Sequence, residues 1–585
     1  MGINMKIQQL VFPNYDITAP TNMYYRVEQE DDIYLNRTDK YISLKTGKTI
    51  SFDSYFNIFP IKTWKKCDIK DLYLTLCGNG KIDISFGLHR YHCPTKWIAN
   101  YQIELQKNGS KIDIPFWNKL DDGLLFIKIK ALSDIVLNNG FFSTNSLPET
   151  TVKLGIVITH FNRKKYVLPA IKRIKYNLLN DKDFIGKIQL VVIDNSQNIT
   201  EEEARGVVVI KNKNYGGSGG FTRGLLYLED NKYTHCLFMD DDGSCEIESI
   251  RRIYVFYSLY KGLEPYAISG TLLLENKPNI IHEKGAIFDK YHIQSLKNGL
   301  NMSNIFDILK SETEEPNENY GAWCFFGFDI TDIKNYSFPF FVRGDDILFS
   351  IQNKLKILTM PGVAVWIEDF CKKESPLTRY LGLRSTLIDR ILEFNLDKQT
   401  LVKIFTHSYL LSLLSYDYAS AQAKIMAIKD ILKGPKVFLN DMDASTVRKK
   451  ISSISAPEKL NPCTNKNWVI RKIRKENKIR RIFRKLTING LLIPSLFLKK
   501  STVYQIKSYN SNLKEIFMYK KVYYHEDISD TGYLAIHNKK KIICSLINYI
   551  KTLILIYKKF DSVKYEFIKQ KEYMTSRDFW INALK

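Results

Sequence analysis

Three consecutive aspartates, Asp240 to Asp242, directly follow the apolar run HCLFM and precede a Gly-Ser pair. Adjacent carboxylates repel one another, so the cluster costs free energy unless a positive charge lies among them. Alternate residues of an extended chain point the same way, which places Asp240 and Asp242 side by side. Because carboxylate oxygens are ligands that Mn²⁺ and Mg²⁺ prefer, this pair predicts a divalent-metal site. The competing interpretation is helix capping by Asp242, since a helical pattern begins nearby.

A second acidic pair, Asp345 and Asp346, lies in the stretch RGDDILFS, at a turn before a helical pattern. A transferase that inverts an anomeric centre needs one carboxylate to deprotonate the hydroxyl of its acceptor. Helix capping by Asp345 again competes with this interpretation. The aromatic run GAWCFFGF (321–328) lies just upstream, and aromatic faces stack on sugars, although core packing explains most such runs.

From Val152 onward, strand patterns alternate with helix patterns, which predicts a mainly parallel α/β sheet. Ligands of such sheets bind beyond the carboxyl ends of the strands. Four predicted strands end in polar clusters, which should therefore line one crevice: THFNR, IDNS, NKNYGGSGG and MDDD. The glycine-rich cluster lets backbone N–H groups approach a phosphate ahead of a helix N-terminus, and it matches neither a P-loop nor a GxGxxG motif. A flexible loop is the alternative for this cluster.

The chain divides into three predicted regions. Residues 1–150 alternate apolar and polar side chains between turn sequences, which predicts an antiparallel β-sandwich of the carbohydrate-binding-module type. Residues 151–395 form the α/β domain. Residues 396–585 are predicted to be mainly helical, strongly basic and membrane-associating.

The C-terminal region carries most of the excess positive charge. From Lys466 to Lys585 there are 27 Lys and Arg against nine Asp and Glu, out of a net charge of +24 for the whole chain. The stretch KNWVIRKIRKENKIRRIFRK (466–485) interleaves apolar residues at roughly helical spacing, which indicates a basic amphipathic helix drawn to an anionic membrane surface. A solvated basic face is the alternative. Nucleic acid is not expected as a partner, since no aromatic-interleaved binding motif accompanies the charge.

The N-terminus lacks the apolar core of a signal peptide, and none of the nine cysteines forms a CxxC pair. The longest late apolar stretch is interrupted by Asn548 and Lys551. We therefore expect a cytoplasmic protein that is peripheral on the inner face of the cell membrane.

The ordered set FNR, IDNS, NYGGSGGFTRG, FMDDDG, GAWCFFGF, RGDDILFS and TMPGVAVW resembles the inverting GT-A glycosyltransferases of family 2. Within that family it is most similar to bacterial galactofuranosyltransferases that polymerise mycobacterial galactan. The resemblance covers about residues 155–390. It implies a GT-A domain between a β-sandwich and a helical membrane-contacting region, Mn²⁺ or Mg²⁺, a UDP-galactofuranose donor, and a lipid-linked glycan acceptor in cell-surface polysaccharide synthesis (galactan, O-antigen or capsule). A homo-oligomer is one possible assembly.

The resemblance also implies roles for individual residues. Asp346 would be the catalytic base with Asp345 beside it, and Asp240 and Asp242 would bind the metal. Trp323 would shape the acceptor pocket. Asp194 would lie near the nucleoside and Asp241 against the donor, and the remaining donor-binding residues would be Arg163, Asn214, Gly216 and Gly217.

One position departs from the family pattern. The relatives place a metal-binding histidine directly after the strand that corresponds to PGVAVW, whereas Ile367 stands there in this chain. Glu368 or Asp369 could replace it, the metal could be held by two acids with diphosphate and water, or the metal could be weakened or lost. His282 is a candidate only by residue type.

Two alternative functions stay open. Because the furanose donor is implied by the resemblance alone, the chain could be a transferase that uses UDP-galactopyranose or a rhamnosyl donor. It could also be a non-catalytic scaffold that binds glycan and membrane. The missing histidine supports the scaffold, and the two intact acidic clusters oppose it.

Overall fold

The computed structural model describes residues 5–17, 19–29, 32–370, 373–462, 468–472, 475–506, 512–526 and 529–585. The N-terminal region is a β-sandwich of two antiparallel layers, as the alternating pattern predicts, and one long strand, β7, belongs to both layers. Its elements are β1 (Met5–Gln9), β2 (Arg26–Val27), β3 (Ile33–Asn36), β4 (Tyr41–Leu44), β5 (Thr49–Ser51), β6 (Phe59–Pro60), α1 (Ile61–Trp64), β7 (Tyr73–His89), β8 (Lys96–Leu105), β9 (Ser110–Asp113), β10 (Leu124–Ala131) and β11 (Ile135–Thr144).

A seven-stranded sheet forms the centre of the second region, in the order β14-β13-β12-β15-β21-β16-β22. Strands β12 to β15 are parallel neighbours, and β21 runs antiparallel to β15. The predicted α/β fold is confirmed. The strands are β12 (Leu154–His160), β13 (Ile188–Asp194), β14 (Val208–Lys211), β15 (His235–Asp240), β16 (Tyr266–Ser269), β17 (Thr271–Leu274), β18 (Lys277–Glu283), β19 (Ala286–Phe288), β20 (Ile293–Ser295), β21 (Phe325–Asp329), β22 (Lys356–Leu358) and β23 (Ala364–Ile367).

The described residues of this region also form the helices α2 (Lys164–Ile174), α3 (Gly216–Asp230), α4 (Ile247–Leu259), α5 (Ile305–Ser311), α6 (Asp345–Gln352) and α7 (Pro376–Glu393). Helix α3 already begins at Gly216, so most of the glycine-rich run is helix rather than loop. Its glycines permit close packing on β12: a Cβ at Gly220 or Gly224 would lie 2.3 Å from Thr159 or 2.2 Å from Val157. A phosphate-binding role is thereby restricted to the residues around the start of α3.

The C-terminal region is mainly helical, as predicted: its described residues form eight helices, together with a five-stranded sheet in the order β24-β28-β27-β26-β25 that was not predicted. Its elements are α8 (Lys398–Leu414), α9 (Tyr418–Ile431), α10 (Lys436–Asn440), α11 (Ser445–Ser455), β24 (Asn461–Pro462), β25 (Val469–Ile470), α12 (Lys478–Leu486), β26 (Lys499–Ile506), α13 (Leu513–Ile516), β27 (Tyr519–Glu526), β28 (Thr531–Ile536), α14 (Lys539–Met574) and α15 (Arg577–Leu584).

The predicted amphipathic helix over 466–485 is wrong in extent. Its second half is α12, but two residues of its first half pair as β25 with β26. Lys466 and Ile473 lie outside the described residues. Of the helices in the described ranges, none combines the length and apolar character that a membrane crossing requires.

The end of the chain returns to the α/β domain. Trp580 on α15 is fully buried, and its indole N–H donates to the Ser337 carbonyl at 2.7 Å. Arg577 pairs with Glu229 on α3 at 3.3 Å. The C-terminal helices are therefore part of the folded body and not a detachable tail.

The sandwich is joined to the α/β domain through buried polar contacts. Arg252 on α4 is fully buried and donates to the Phe56 carbonyl at 2.6 Å, the Pro361 carbonyl at 3.0 Å and the Glu248 carboxylate at 3.3 Å. Glu246, just before α4, accepts from the Tyr24 hydroxyl at 2.7 Å. Buried groups of this kind are stable only when all partners are present.

We predict that Arg252→Met destabilises the fold by about 3–5 kcal/mol, because Glu248 and two carbonyl oxygens lose their buried donor. The thermal-unfolding midpoint, followed by circular dichroism, should fall clearly. Lys261→Met is the matched control, because Lys261 makes exposed ion pairs with Asp68 and Glu149 and should leave the midpoint nearly unchanged. Equal midpoints for the two variants would contradict the prediction.

We also predict that Gly216→Ala lowers the midpoint by roughly 5 °C or more. Gly216 has a φ of 66°, and a Cβ there would lie 2.0 Å from the Phe341 carbonyl oxygen. Gly382, inside α7, has no atom within 4 Å of the corresponding position, so Gly382→Ala should keep or raise the midpoint. A Gly216→Ala variant as stable as Gly382→Ala would show that the contact with Phe341 adapts freely.

Candidate active site

The carboxyl ends of β12 and β15 bring the aspartate cluster against the FNR motif. Arg163 directly precedes α2, and its guanidinium donates to Asp242 at 2.5 Å and to Asp241 at 3.3 Å. Lys373, from the segment before α7, lies 2.7 Å from the same Asp242 oxygen. His160 Nδ1 lies 3.4 Å from Asp241. The repulsion that the sequence implies is therefore offset by two cations from separate segments, Arg163 after β12 and Lys373 before α7, with the His160 imidazole beside Asp241.

Burial and these contacts shift the pKa values of Asp240 and Asp242 in opposite directions. Burial raises the pKa of Asp240 to about 6, and the charges of Asp242 and Asp241 add to this effect. Burial also acts on Asp242, but Lys373 and Arg163 outweigh it and lower its pKa. The thiol of Cys324 donates to Asp240 at 3.1 Å. Asp240 is the member of the cluster that would gain most from a further positive charge.

Asp240 and Asp242 offer the hard oxygen donors that suit a divalent cation. Within the ranges that the structure describes, no three His, Cys, Asp or Glu side chains are already grouped as a metal site. The strand β23 does end beside the cluster, because Ser244 and Trp366 exchange backbone hydrogen bonds at 3.1 and 2.7 Å. The donor set thus fits a metal with two aspartate ligands.

The position of the expected histidine supplies no ligand, because Ile367 is a buried core residue of β23. Glu368 is partly exposed and lies 3.7 Å from Lys373, which itself contacts Asp242. Asp369 acts on His282, where its charge opposes the lowering of the pKa by burial. Of the two predicted substitutes for the histidine, Glu368 is connected to the aspartate cluster, because Lys373 contacts both Glu368 and Asp242.

The second acidic pair begins α6, after a backbone segment held in left-handed conformations. The φ angles are 79° at Phe341, 71° at Arg343 and 82° at Gly344. Such conformations cost free energy in residues other than glycine and persist only where surrounding contacts hold them. Ser218 of α3 supplies two of these contacts: its N–H donates to the Phe341 carbonyl at 3.2 Å and its hydroxyl to Asp345 at 3.0 Å. The start of α3 and the start of α6 are therefore fixed together.

The two acids of this pair are not equivalent. Asp345 is buried, and burial together with the charge of Asp346 raises its pKa to about 7. Asp346 is partly exposed. Burial of its carboxyl raises its pKa to about 6, while the Ile347 N–H and Arg343 oppose the shift. A carboxylate with partial exposure and a pKa near 6 is suited to accept a proton at neutral pH.

Two acidic side chains that interact with Asp346, Glu283 and Asp389, and a third that interacts with Glu283, were not identified from the sequence. Burial raises the pKa of Glu283 to about 7, and the Asp346 charge adds to it. Burial also raises the pKa of Glu318, to about 8. Asp389 on α7 is fully buried, its pKa is raised by burial, and neither of its oxygens has a hydrogen-bond partner among the described residues. No motif marks these residues, which are remote from Asp346 in the chain.

The predicted donor residues lie at the same edge of the sheet. Asn214 accepts from the Gly216 N–H at 3.1 Å, and a Cβ at Gly217 would lie 3.3 Å from an Asp345 oxygen. Asp194 is fully buried, and its carboxylate accepts from the N–H groups of Ser196 and Ile199 at 3.0 and 2.8 Å. Its observed role is therefore to shape the turn after β13, and contact with a nucleoside stays a prediction.

Trp323 is a core residue. Its ring packs edge-on against Phe238 at 4.9 Å, Phe349 at 5.2 Å and Phe221 at 5.3 Å. Its buried indole N–H has no hydrogen-bond partner in the described part of the chain. The Trp323 ring therefore packs in the core, which was the alternative interpretation of this aromatic run. Its contribution to the acceptor pocket stays a prediction.

Known proteins match the sandwich and, more broadly, about two thirds of the chain. Residues 7–145 match the family described as galactofuranosyltransferase 2 N-terminal. Galactofuranosyltransferase GlfT2 of Mycobacterium tuberculosis is 23% identical over 447 residues, which cover 69% of this chain and 68% of the relative. GlfT2 of Mycolicibacterium smegmatis is 22% identical over 446 residues, with 69% and 67% covered.

Among solved structures, a Pyrobaculum calidifontis mannosyltransferase aligns at 11% identity over 53% of this chain and 84% of its own, with a TM-score of 0.29. A likeness this weak adds nothing to the assignment. The sequence matches, by contrast, cover the sandwich and, for the two relatives, 69% of the chain, and they confirm the resemblance that the motifs predicted. The chain is a glycosyltransferase of the galactofuranosyltransferase type.

Proposed function

We propose that the chain transfers galactofuranose, with inversion, from UDP-galactofuranose to a lipid-linked glycan during synthesis of a cell-surface polysaccharide. The observation that carries this proposal is the contact between the starts of α3 and α6, which holds the partly exposed Asp346 near the aspartate cluster: Cys324, which donates to Asp240, is also close enough to be affected by the Asp346 charge. The names of the matched relatives favour galactofuranose over galactopyranose or rhamnose. Two separate acidic sites favour an enzyme over a scaffold.

The donor diphosphate would bind where positive potential is concentrated. Arg163 and Lys373 supply two cations, and the Gly217 N–H in the first turn of α3 supplies a donor that has no partner among the described residues. Asp240 and Asp242 would hold Mn²⁺ or Mg²⁺, which stabilises the charge that develops on a diphosphate leaving group. Glu368 is the side chain best linked to this pair for a third protein ligand.

Asp346 would act as the general base. Its carboxylate takes the proton from the acceptor hydroxyl, whose oxygen then forms the bond to the anomeric carbon. The bond to the UDP oxygen breaks on the opposite face, and the electron pair leaves with the diphosphate. Asp345, joined to Ser218, holds the start of α6 in place and does not contact the acceptor.

We predict that Asp346→Asn lowers UDP release from UDP-galactofuranose by about 100-fold or more, because the amide cannot accept the proton. In the unaltered chain, kcat/KM should fall below about pH 6, since the base must be ionised and its pKa is about 6. An ordinary aspartate would remain active to a pH about two units lower.

Asp134→Asn serves as the control, because Asp134 is exposed on the sandwich, and it should keep both the rate and the acid limb. An Asp346→Asn variant with full turnover would rule out the base assignment. A rate that stays level down to pH 4.5 would do the same.

The proposed membrane contact rests on a surface that combines apolar and basic side chains. Helix α12 has no buried residue, and four of its apolar side chains are exposed: Ile479, Ile482, Phe483 and Leu486. Basic residues occupy the intervening positions. Each Lys or Arg near an anionic lipid surface contributes about 1 kcal/mol of attraction. Membrane contact and oligomer formation both stay predictions.

We predict that replacing these four α12 side chains by serine weakens sedimentation with phosphatidylglycerol vesicles by at least about tenfold, because the apolar contribution to insertion is lost. Truncation is an unsuitable test, since Trp580 and α14 belong to the folded body. Leu263→Ser with Ile185→Ser removes two exposed apolar side chains of the α/β domain and should bind vesicles normally. Equal binding by both variants would contradict the membrane role.

A further inference from the structure

The sandwich contains a cavity of about 290 Å³ that the transfer reaction does not use. It opens on the layer that contains β2, β5, β7, β8 and β10. The side chains that matter to its chemistry are Arg26, Asp53, His89, Thr95, Trp97 and Phe126. Its volume is near the lower end for small-molecule sites, which suits a ligand of about one ring.

The aromatic part of the cavity is built around one glycine. The Phe126 ring stacks on His89, with centroids 4.3 Å apart and planes 10° apart, and Trp97 meets it edge-on at 5.6 Å. Gly87 pairs with both Phe126 and Trp97 across the strands. A Cβ at Gly87 would lie 2.2 Å from the Phe126 ring, so glycine leaves room for the stack. Trp97 is 53% exposed, which presents an indole surface at the cavity.

The polar part of the cavity has unused hydrogen-bonding capacity. Three buried atoms lack a hydrogen-bond partner among the described residues: Arg26 Nη2, Asp53 Oδ1 and His89 Nε2. The Asp53 carboxylate lies 3.5 Å from Arg26 Nε and 3.6 Å from His89 Nε2, too far for good direct hydrogen bonds. Each buried polar group that lacks a hydrogen bond lowers the stability of the fold. A ligand that both donates and accepts would remove this cost.

The charges of the cavity argue against an ionic ligand. Arg26 and Lys128 are balanced by Asp53 and Glu28, so no net field selects a phosphate or a cation. A single exposed indole also falls short of the aromatic cage that binds quaternary ammonium groups. Neutral vicinal hydroxyls satisfy a carboxylate, a guanidinium and an imidazole together, and the C–H face of a sugar stacks on an aromatic ring.

We propose that this cavity is a glycan-binding site, in which one sugar residue stacks on Trp97 and hydrogen-bonds to Asp53, Arg26 and His89. The site is attached to the α/β domain, because Arg26 also donates to the Ser303 carbonyl at 2.8 Å. Binding here is independent of the reaction proposed above and would persist in a chain with no transferase activity.

The test uses the full chain labelled with 5-fluorotryptophan and followed by ¹⁹F NMR. The resonance missing from Trp97→Phe identifies Trp97. The probes are trisaccharides of galactofuranose, galactopyranose and mannose, added up to roughly 10 mM to reveal millimolar dissociation constants. We expect at least one trisaccharide to shift the Trp97 resonance saturably. Asp53→Asn should weaken that titration by about tenfold, as expected for loss of a hydrogen bond to a charged group.

Tyr34→Ala is the matched control, since Tyr34 is a similarly exposed aromatic residue on the other layer of the sandwich. It should leave the titration unchanged. UDP release with a short soluble acceptor should be the same in Trp97→Ala as in the unaltered chain, which separates this site from the active site. The proposal is overturned if no trisaccharide shifts the resonance, or if Asp53→Asn titrates like the unaltered chain.

Discussion

Mutual repulsion among buried carboxylates is the constraint on which the active region depends. Asp240 to Asp242 occupy consecutive positions at the end of one strand, in an environment that penalises charge. The chain offsets this penalty with Arg163 and His160 from the end of β12 and with Lys373 from the segment before α7. The contacts that offset the repulsion among the acids therefore also hold the segments after β12, after β15 and before α7 together as one surface. An anionic substrate would compete for cations that are already in place.

The local part of this arrangement was predictable, and the remote part was not. Adjacent acids and the FNR motif can be read directly, because strand ends of a parallel sheet meet at one edge. Lys373 lies 131 residues from Asp242, and no periodicity or spacing links the two. Glu283 and Asp389 were missed for the same reason. Their importance arises from burial beside Asp346, which depends on tertiary packing.

Two errors have identifiable physical causes. Glycine signals both freedom of the backbone and close approach of another element, and here Gly220 and Gly224 serve the second purpose, against β12. The sheet of the C-terminal region was missed because two of its strands have only two residues and the lysines of β26 and β27 lie within the basic pattern that was interpreted as helical. The segment KKVYYHE nevertheless contains the aromatic pair typical of a strand.

Arg252 has a consequence for how this enzyme can vary. Its guanidinium, on a helix of the α/β domain, is satisfied by a carbonyl of the sandwich, while Tyr24 of the sandwich satisfies Glu246 in return. A sandwich exchanged for an unrelated one would have to reproduce both groups at the same positions, or leave a charge stranded in the interior. We therefore expect the two regions to be inherited together, because a recombination that exchanged only one of them would leave these buried groups without partners.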